Sequence, residues 1–242
     1  GLIFGLCFAH TDGLLVINNI IKKDLLQNFT LRENQIIVRS NGIDLKLFNH
    51  KLSKNDARQL LKLPQDKKIV LYCGRCYDWK GTDILLEIAR REKDVLFIVV
   101  GESSESLEKN LKEKIPPNLI GAGSRPYGEI PIWYSSADTL LLLGTKANDY
   151  SYYHTSPMKL FEYMASKRTI VASRTPAVMD VVNENEVIFY ESDNGEDLIR
   201  AIEKSFENNN SELIERSYKK VLDLTWDKRA KNMVDFMMSK LR

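Results

Sequence analysis

Short apolar runs alternate along most of the chain with stretches in which apolar residues recur every three or four positions. "KIVLYC" (68–73) is a β-rich run that stops at Gly74. "TDILLEIARRE" (82–92) follows, with Ile84, Leu85, Ile88 and Ala89 on one helical face. "DVLFIVV" (94–100) reads as a buried strand ending at Gly101, residues 104–114 as a polar helix, and "NLIG" (118–121) as a short strand. "EIPIWYSSA" (129–137) predicts a helix and "DTLLLL" (138–143) a strand. "SPMKLFEYMAS" (156–166) predicts a helix, and "RTIVAS" (168–173) and "EVIFY" (186–190) predict strands. The tail is helical, since "EDLIRAIEKSF" and "RAKNMVDFMMSKL" carry apolar residues at three- and four-residue spacing, with "ENNNSE" (207–212) as a polar loop before the last part.

Repeated strand–helix alternation predicts an α/β fold, a doubly wound parallel sheet with helices on both faces. Loops at the carboxyl ends of such strands carry function. The stretch after Cys73 and the stretch before Ser156 both follow strand ends, so the two can meet in one crevice. The first fifty residues differ: "DGLLVINNIIKKDLLQNF" predicts a strand and a helix, and "IIVRSNGIDLKLFN" a strand that leaves through a turn at Asn41-Gly42.

Composition narrows the function. The formal charge of the 242 residues is only +2, which gives no electrostatic pull toward nucleic acid or a membrane. Three cysteines, Cys7, Cys73 and Cys76, are too few and too odd for a disulfide scaffold and fit a reducing compartment. His10, His50 and His154 have no ligand spacing, so no metal is expected. "GLIFGLCFA" at the start is apolar but short and lacks a basic flank. The chain opens on Gly1 rather than Met, which fits a start inside a larger protein.

Three features point to chemistry. Ser156 reads as a helix cap with Pro157 at the first helical position. The N–H groups of Met158, Lys159 and Leu160 would then face out of the positive helix end, an anion site or simply a well-capped helix. Glu162, almost two turns on, can accept hydrogen bonds from a diol or stand solvated. Arg75 and Lys80 flank a turn after a buried strand, where Arg grips phosphate with two donors and Lys acts as a point charge. Cys73 and Cys76 have the C-x-x-C spacing of a redox dithiol, but Cys73 ends an apolar strand and no amphipathic helix starts at Cys76, so small buried hydrophobes are the better reading.

At these residues the sequence resembles the donor-binding C-terminal half of a retaining glycosyltransferase of family 4 (group 1), built on the two-domain GT-B architecture. "IIVRSNGIDLKLF" is similar to the turn that enters the second domain, and "YCGRCYDWKG" to the family's Gly-Arg … Lys-Gly phosphate loop. "NLIGAGSRPYGEIPIWYSSADTLLL" resembles the base-pocket segment, "TSPMKLFEYMASKRTIVAS" a Ser-Pro-x-Lys variant of the donor helix, and "WDKRAKNM" the start of the last helix.

The resemblance implies a Rossmann-like donor domain over 40–224, a remnant of the acceptor domain over 1–39 and a C-terminal helix over 225–242. It implies that Arg75 and Lys80 act on the diphosphate of a UDP-, GDP- or ADP-linked sugar, next to Gly74. Ser156, Pro157, Met158, Lys159 and Leu160 would form the phosphate-binding helix start, and Glu162 would take the ribose. Gly123, Ser124 and Arg125 would frame the base. The family's first glutamate is replaced by His154, which leaves the sugar contacts open. No cofactor or metal is implied. The partner is an acceptor domain, in cis or on another chain, which would also make any membrane contact. The setting implied is cytoplasmic, at the inner membrane face when the acceptor is a lipid, and the product a cell-envelope polysaccharide or glycolipid. A non-catalytic nucleotide-binding module and a nucleotide-sugar epimerase on the same fold are the alternatives.

Overall fold

The computed structural model describes residues 11–48 and 52–240. Cys7, His10 and His50 lie outside the described residues. Six strands form one parallel sheet in the order β5-β4-β3-β6-β7-β8. They are β3 (Lys68–Cys73), β4 (Val95–Val100), β5 (Leu119–Gly123), β6 (Thr139–Leu142), β7 (Thr169–Ser173) and β8 (Ile188–Tyr190). Both faces of the sheet are buried, which is why these strands read as continuous apolar runs and not as alternations. Ile69, Leu71 and Cys73 of β3 pack in the core on one face, and Val70 and Tyr72 in the core on the other. The fold is α/β with C-terminal helices.

Chain order runs outward in one direction through β3, β4 and β5, and in the other through β6, β7 and β8. The reversal between β3 and β6 opens a crevice at their carboxyl ends, the place where doubly wound sheets bind ligands.

Most predicted elements shorten by a residue or two at their ends. The helix expected over 104–114 stops at Leu111, because Lys112 turns left-handed with φ 56°. Ser211 already begins the helix Ser211–Val221, so the polar loop ends earlier than the composition indicates. The helix Lys54–Leu61 has no counterpart in the pattern reading. Ser53 caps it by accepting the Asp56 N–H, and it buries Ala57 and Arg58.

Arg58 is 1% exposed, and its guanidinium is satisfied on every side. It donates to Asp138 at 2.7 Å and to the carbonyls of Ser136, Gln65 and Lys67 at 2.8, 3.0 and 3.0 Å. Asp138 also accepts from Lys54 and from the Ile69 N–H, which pins the start of β3 to the start of β6.

The N-terminal segment forms a separate two-stranded parallel sheet, β1 (Leu14–Val16) with β2 (Ile36–Val38), around the helix α1 (Asn19–Asn28). The last helix, Trp226–Lys240, packs onto this segment: a Cβ added to Gly13 would lie 2.7 Å from the Phe236 ring.

Candidate functional site

The crevice at the β3/β6 reversal has a volume of about 290 Å³. Its floor is Cys73 and the Leu142–Gly144 segment, and its walls are Trp79, Lys80, Tyr150, Ser156, Pro157, Met158 and Lys159. Strand β3 delivers Lys80 through a loop that closes in a short helical turn, Asp78–Lys80. The helix Met158–Ala165 delivers its start from the opposite side.

The cap of that helix is displaced by one residue from the sequence reading. Pro157 is the cap residue, with extended backbone (φ −68°, ψ 106°), and the first helical residue is Met158. Ser156 does not cap; its hydroxyl accepts the Asn41 N–H at 3.3 Å, and its carbonyl accepts from the Asn41 side chain at 3.0 Å. A tertiary partner has taken the side chain that a local rule assigned to the helix. The Leu160 N–H is already bonded to the Pro157 carbonyl at 2.9 Å. Met158 and Lys159 therefore hold the first-turn N–H groups, which have no carbonyl partner within the helix.

Lys80 and Lys159 both line the crevice. Burial is the main cause that holds the Lys80 ammonium below the ordinary lysine range, and the positive charge of Lys159 adds to it. Two ammonium groups and a helix start in one crevice make a site that gains from an anion.

Arg75 takes a different position. It is exposed, donates to the Tyr77 hydroxyl at 3.5 Å, and lines a second, open hollow of about 850 Å³ together with Glu102, Lys109 and Ser124. Gly74 lies between the two hollows, and its carbonyl comes so close to Gly101 that a Cβ there would meet it at 2.7 Å. Gly101 has φ +123°, a second reason for a glycine at this strand end. Gly123 ends β5 with φ +77° and faces open space, and the Arg125 guanidinium lies 5.3 Å over the Trp133 ring.

Glu162 is buried, not solvated, at 2% exposure. Its carboxylate accepts from the Tyr134 hydroxyl at 2.6 Å, the Lys159 ammonium at 2.9 Å and the Tyr127 hydroxyl at 3.3 Å. Burial, with the carboxylate adding to it, raises the Tyr127 hydroxyl above the ordinary tyrosine range. Half-exposed Tyr127 stands between Glu162 and solvent.

His154 faces the N-terminal segment. Its Nε2 lies 3.2 Å from Oδ2 of Asp24 on α1. Asn18, 1% exposed, caps α1 by accepting the Ile21 N–H and donates to the carbonyls of Tyr153 and Thr155 at 3.1 and 3.2 Å. Asn18 and Asn41 thus hold the chain that leads into the helix start.

The two cysteines are separated by the sheet. Cys73 packs in one core layer and Cys76 in the other, and both are free thiols. Burial raises the Cys73 thiol and pushes Cys76 up to about 11. Neither thiol has the depressed pKa of a redox dithiol.

The profile of the family described as Glycosyl transferases group 1 matches residues 53–220. The chain belongs to this family. It is 28% identical over 233 residues to the processive diacylglycerol alpha-glucosyltransferase of Acholeplasma laidlawii, covering 91% of this chain and 68% of the relative. Among solved structures, a glycosyltransferase from Rickettsia africae superposes with a TM-score of 0.77 at 19% identity, over 95% of this chain and 64% of that one. Anabaena HepE, solved in complex with UDP and glucose, superposes with a TM-score of 0.76 at 18% identity, over 94% and 63%. The chain thus spans about two thirds of the length of these relatives.

Within this group 1 glycosyltransferase domain, sequence reasoning missed Asn18, Trp79, Tyr127 and Tyr134 as parts of the site. Asn18 had a visible signal, an Asn directly before an apolar-periodic helix. Tyr127 and Tyr134 had none, because only tertiary packing brings the turn Tyr127–Glu129 and the helix Ile130–Ser136 to Glu162 on Met158–Ala165.

Proposed function

We propose that this domain binds the diphosphate of a nucleotide-sugar and supports retaining transfer of the sugar to a glycan or lipid-linked acceptor. The observation that carries this reading is the convergence of Lys80, Lys159 and the helix start at Met158 on the β3/β6 crevice. Membership of the glycosyltransferase family supports it, as does the UDP and glucose in the HepE structure.

In the transfer, the bond from the anomeric carbon to the phosphate oxygen breaks and a bond to an acceptor hydroxyl forms on the same face. The acceptor proton passes to the leaving phosphate. Negative charge grows on that phosphate, and fixed cations and N–H dipoles stabilise it without reorganising; loss of one such donor costs about 100-fold or more in rate. Lys80 and the first-turn N–H groups supply this charge here, while Lys159 is shared with Glu162. Arg75 reaches the same diphosphate by turning from its hollow around Gly74. Gly123, Ser124 and Arg125 frame the base, and Glu162 takes the ribose hydroxyls once Tyr127 gives way. His154 lies where a sugar contact is expected but is tethered to Asp24. The acceptor domain, cytoplasmic setting and envelope or glycolipid product belong to the same proposal.

The test is a thermal-shift titration of this chain with UDP, GDP and ADP. A ligand that binds only the folded state stabilises it by about 2.7 kcal/mol at a hundred times its Kd. One nucleotide should raise Tm, and Lys80→Ala should shrink the rise at the same nucleotide concentration. No rise with any of the three would overturn the reading for this chain.

A further inference from the structure

We propose that Trp79 is the positioning residue for Lys80, holding its ammonium over the crevice and tying the phosphate loop to the loop after β6; this rests on the reading of Lys80 as a diphosphate cation. The Lys80 ammonium lies 5.1 Å from the Trp79 ring centroid and 5.2 Å from that of Tyr77. Those two rings stack at 5.9 Å with planes 9° apart, so the cation meets a double aromatic face. Trp79 also meets Tyr150 edge-on, with ring centroids 5.5 Å apart. Tyr150 belongs to the π-helical turn Tyr150–His154, between β6 and the donor helix.

The arrangement answers a physical need. A lysine side chain has four rotatable bonds and is free to swing, so a fixed charge requires a surface that selects one rotamer. No carboxylate pairs with the Lys80 ammonium among the described residues. A carboxylate there would compete with a phosphate. An aromatic face attracts the ammonium through the ring quadrupole and leaves its net charge intact for the ligand. Trp79 and Tyr150 both line the crevice, so the contact that orients the cation is also a wall of the site.

The test is a double-mutant cycle on Kd, by calorimetry, with whichever of UDP, GDP or ADP binds tightest. Trp79→Ala should weaken binding about 5- to 30-fold, the worth of a partly desolvated cation–π contact. The same change in a Lys80→Ala background should have almost no effect, and Trp79→Phe should restore most of the affinity. Equal losses from Trp79→Ala in both backgrounds would overturn the proposal while leaving Lys80 as a diphosphate ligand. A Lys80→Ala variant that binds as well as wild type would overturn the diphosphate reading itself. Independently of any ligand, the ¹³C signal of reductively methylated Lys80 should carry a ring-current shift that disappears in Trp79→Ala. An unshifted wild-type signal would overturn the placement of Lys80 on the ring.

Discussion

The Tyr163 hydroxyl accepts the Cys73 N–H at 3.0 Å and donates to the Leu141 carbonyl at 3.3 Å, bridging β3 and β6 where the strands diverge. The register of this pair ends at Tyr72 opposite Leu141, so Cys73 pairs with Val100 of β4 but has no neighbour on the β6 side. A ligand crevice at a strand reversal needs such a divergence, and the divergence leaves backbone groups unpaired in the core. The tyrosine satisfies both from the helix Met158–Ala165.

Tyr163→Phe should therefore cost about 1–3 kcal/mol, the penalty for orphaning buried polar groups. Urea denaturation should show a lower midpoint with an unchanged slope. A midpoint equal to wild type would mean that the strand ends find other partners.

Lys80 and Arg75 should differ in their effect on nucleotide binding. Lys80 already faces the crevice, so Lys80→Ala should weaken the preferred nucleoside diphosphate by about 1.5–3 kcal/mol, the range for hydrogen bonds to charged groups. Arg75 must first leave Tyr77 and turn around Gly74, so Arg75→Ala should cost less. Calorimetry on both variants measures the order, and a larger loss from Arg75→Ala would reverse it.

Cys76 should react slowly. Its thiol is pushed up to about 11 by burial, and the thiolate is the reactive form. At pH 8 iodoacetamide should modify it about 100-fold or more slowly than a free thiol of pKa near 8.5. Mass spectrometry of a timed reaction gives the rate. Alkylation at the rate of a small thiol would show that the site opens readily.

Asp138 should carry an acid-sensitive share of stability. Burial alone would raise its carboxyl, but Lys54, the Ile69 N–H and Arg58 outweigh that and hold it below the usual range. A depressed folded value contributes stability that is complete above the unfolded pKa of about 4 and is lost as pH falls through the folded value. Asp138→Asn leaves Arg58 buried without its counter-charge and should cost about 3–5 kcal/mol at pH 7. The variant should also lose less stability than wild type between pH 5 and pH 2, on the order of the shift itself. Parallel denaturation curves across that range would contradict the assignment.

Much of the architecture is written locally. Apolar runs such as "KIVLYC" and "DVLFIVV" mark strands buried on both faces, and their alternation with helical periodicity forces a parallel sheet with crossover helices. Lys80 and the Ser156–Lys159 segment both follow the carboxyl ends of neighbouring strands, so their meeting in one crevice follows from topology. Short helices such as Lys54–Leu61 were not legible, because their stability comes from burying Arg58 against Asp138 and not from their own periodicity.

Orientation was decided only by tertiary structure. The pattern placed Arg75 and Lys80 in one loop, but in the folded chain the two side chains line different hollows. It placed Glu162 on a helix, but packing against Tyr134 and Tyr127 buries it, and contact with Asn41 takes Ser156 from its cap. Periodicity and spacing specify which residues share a strand end or a helix face, because those follow from backbone geometry within one element. Which polar groups pair across elements depends on residues far apart in the chain, and only the packed structure brings those together.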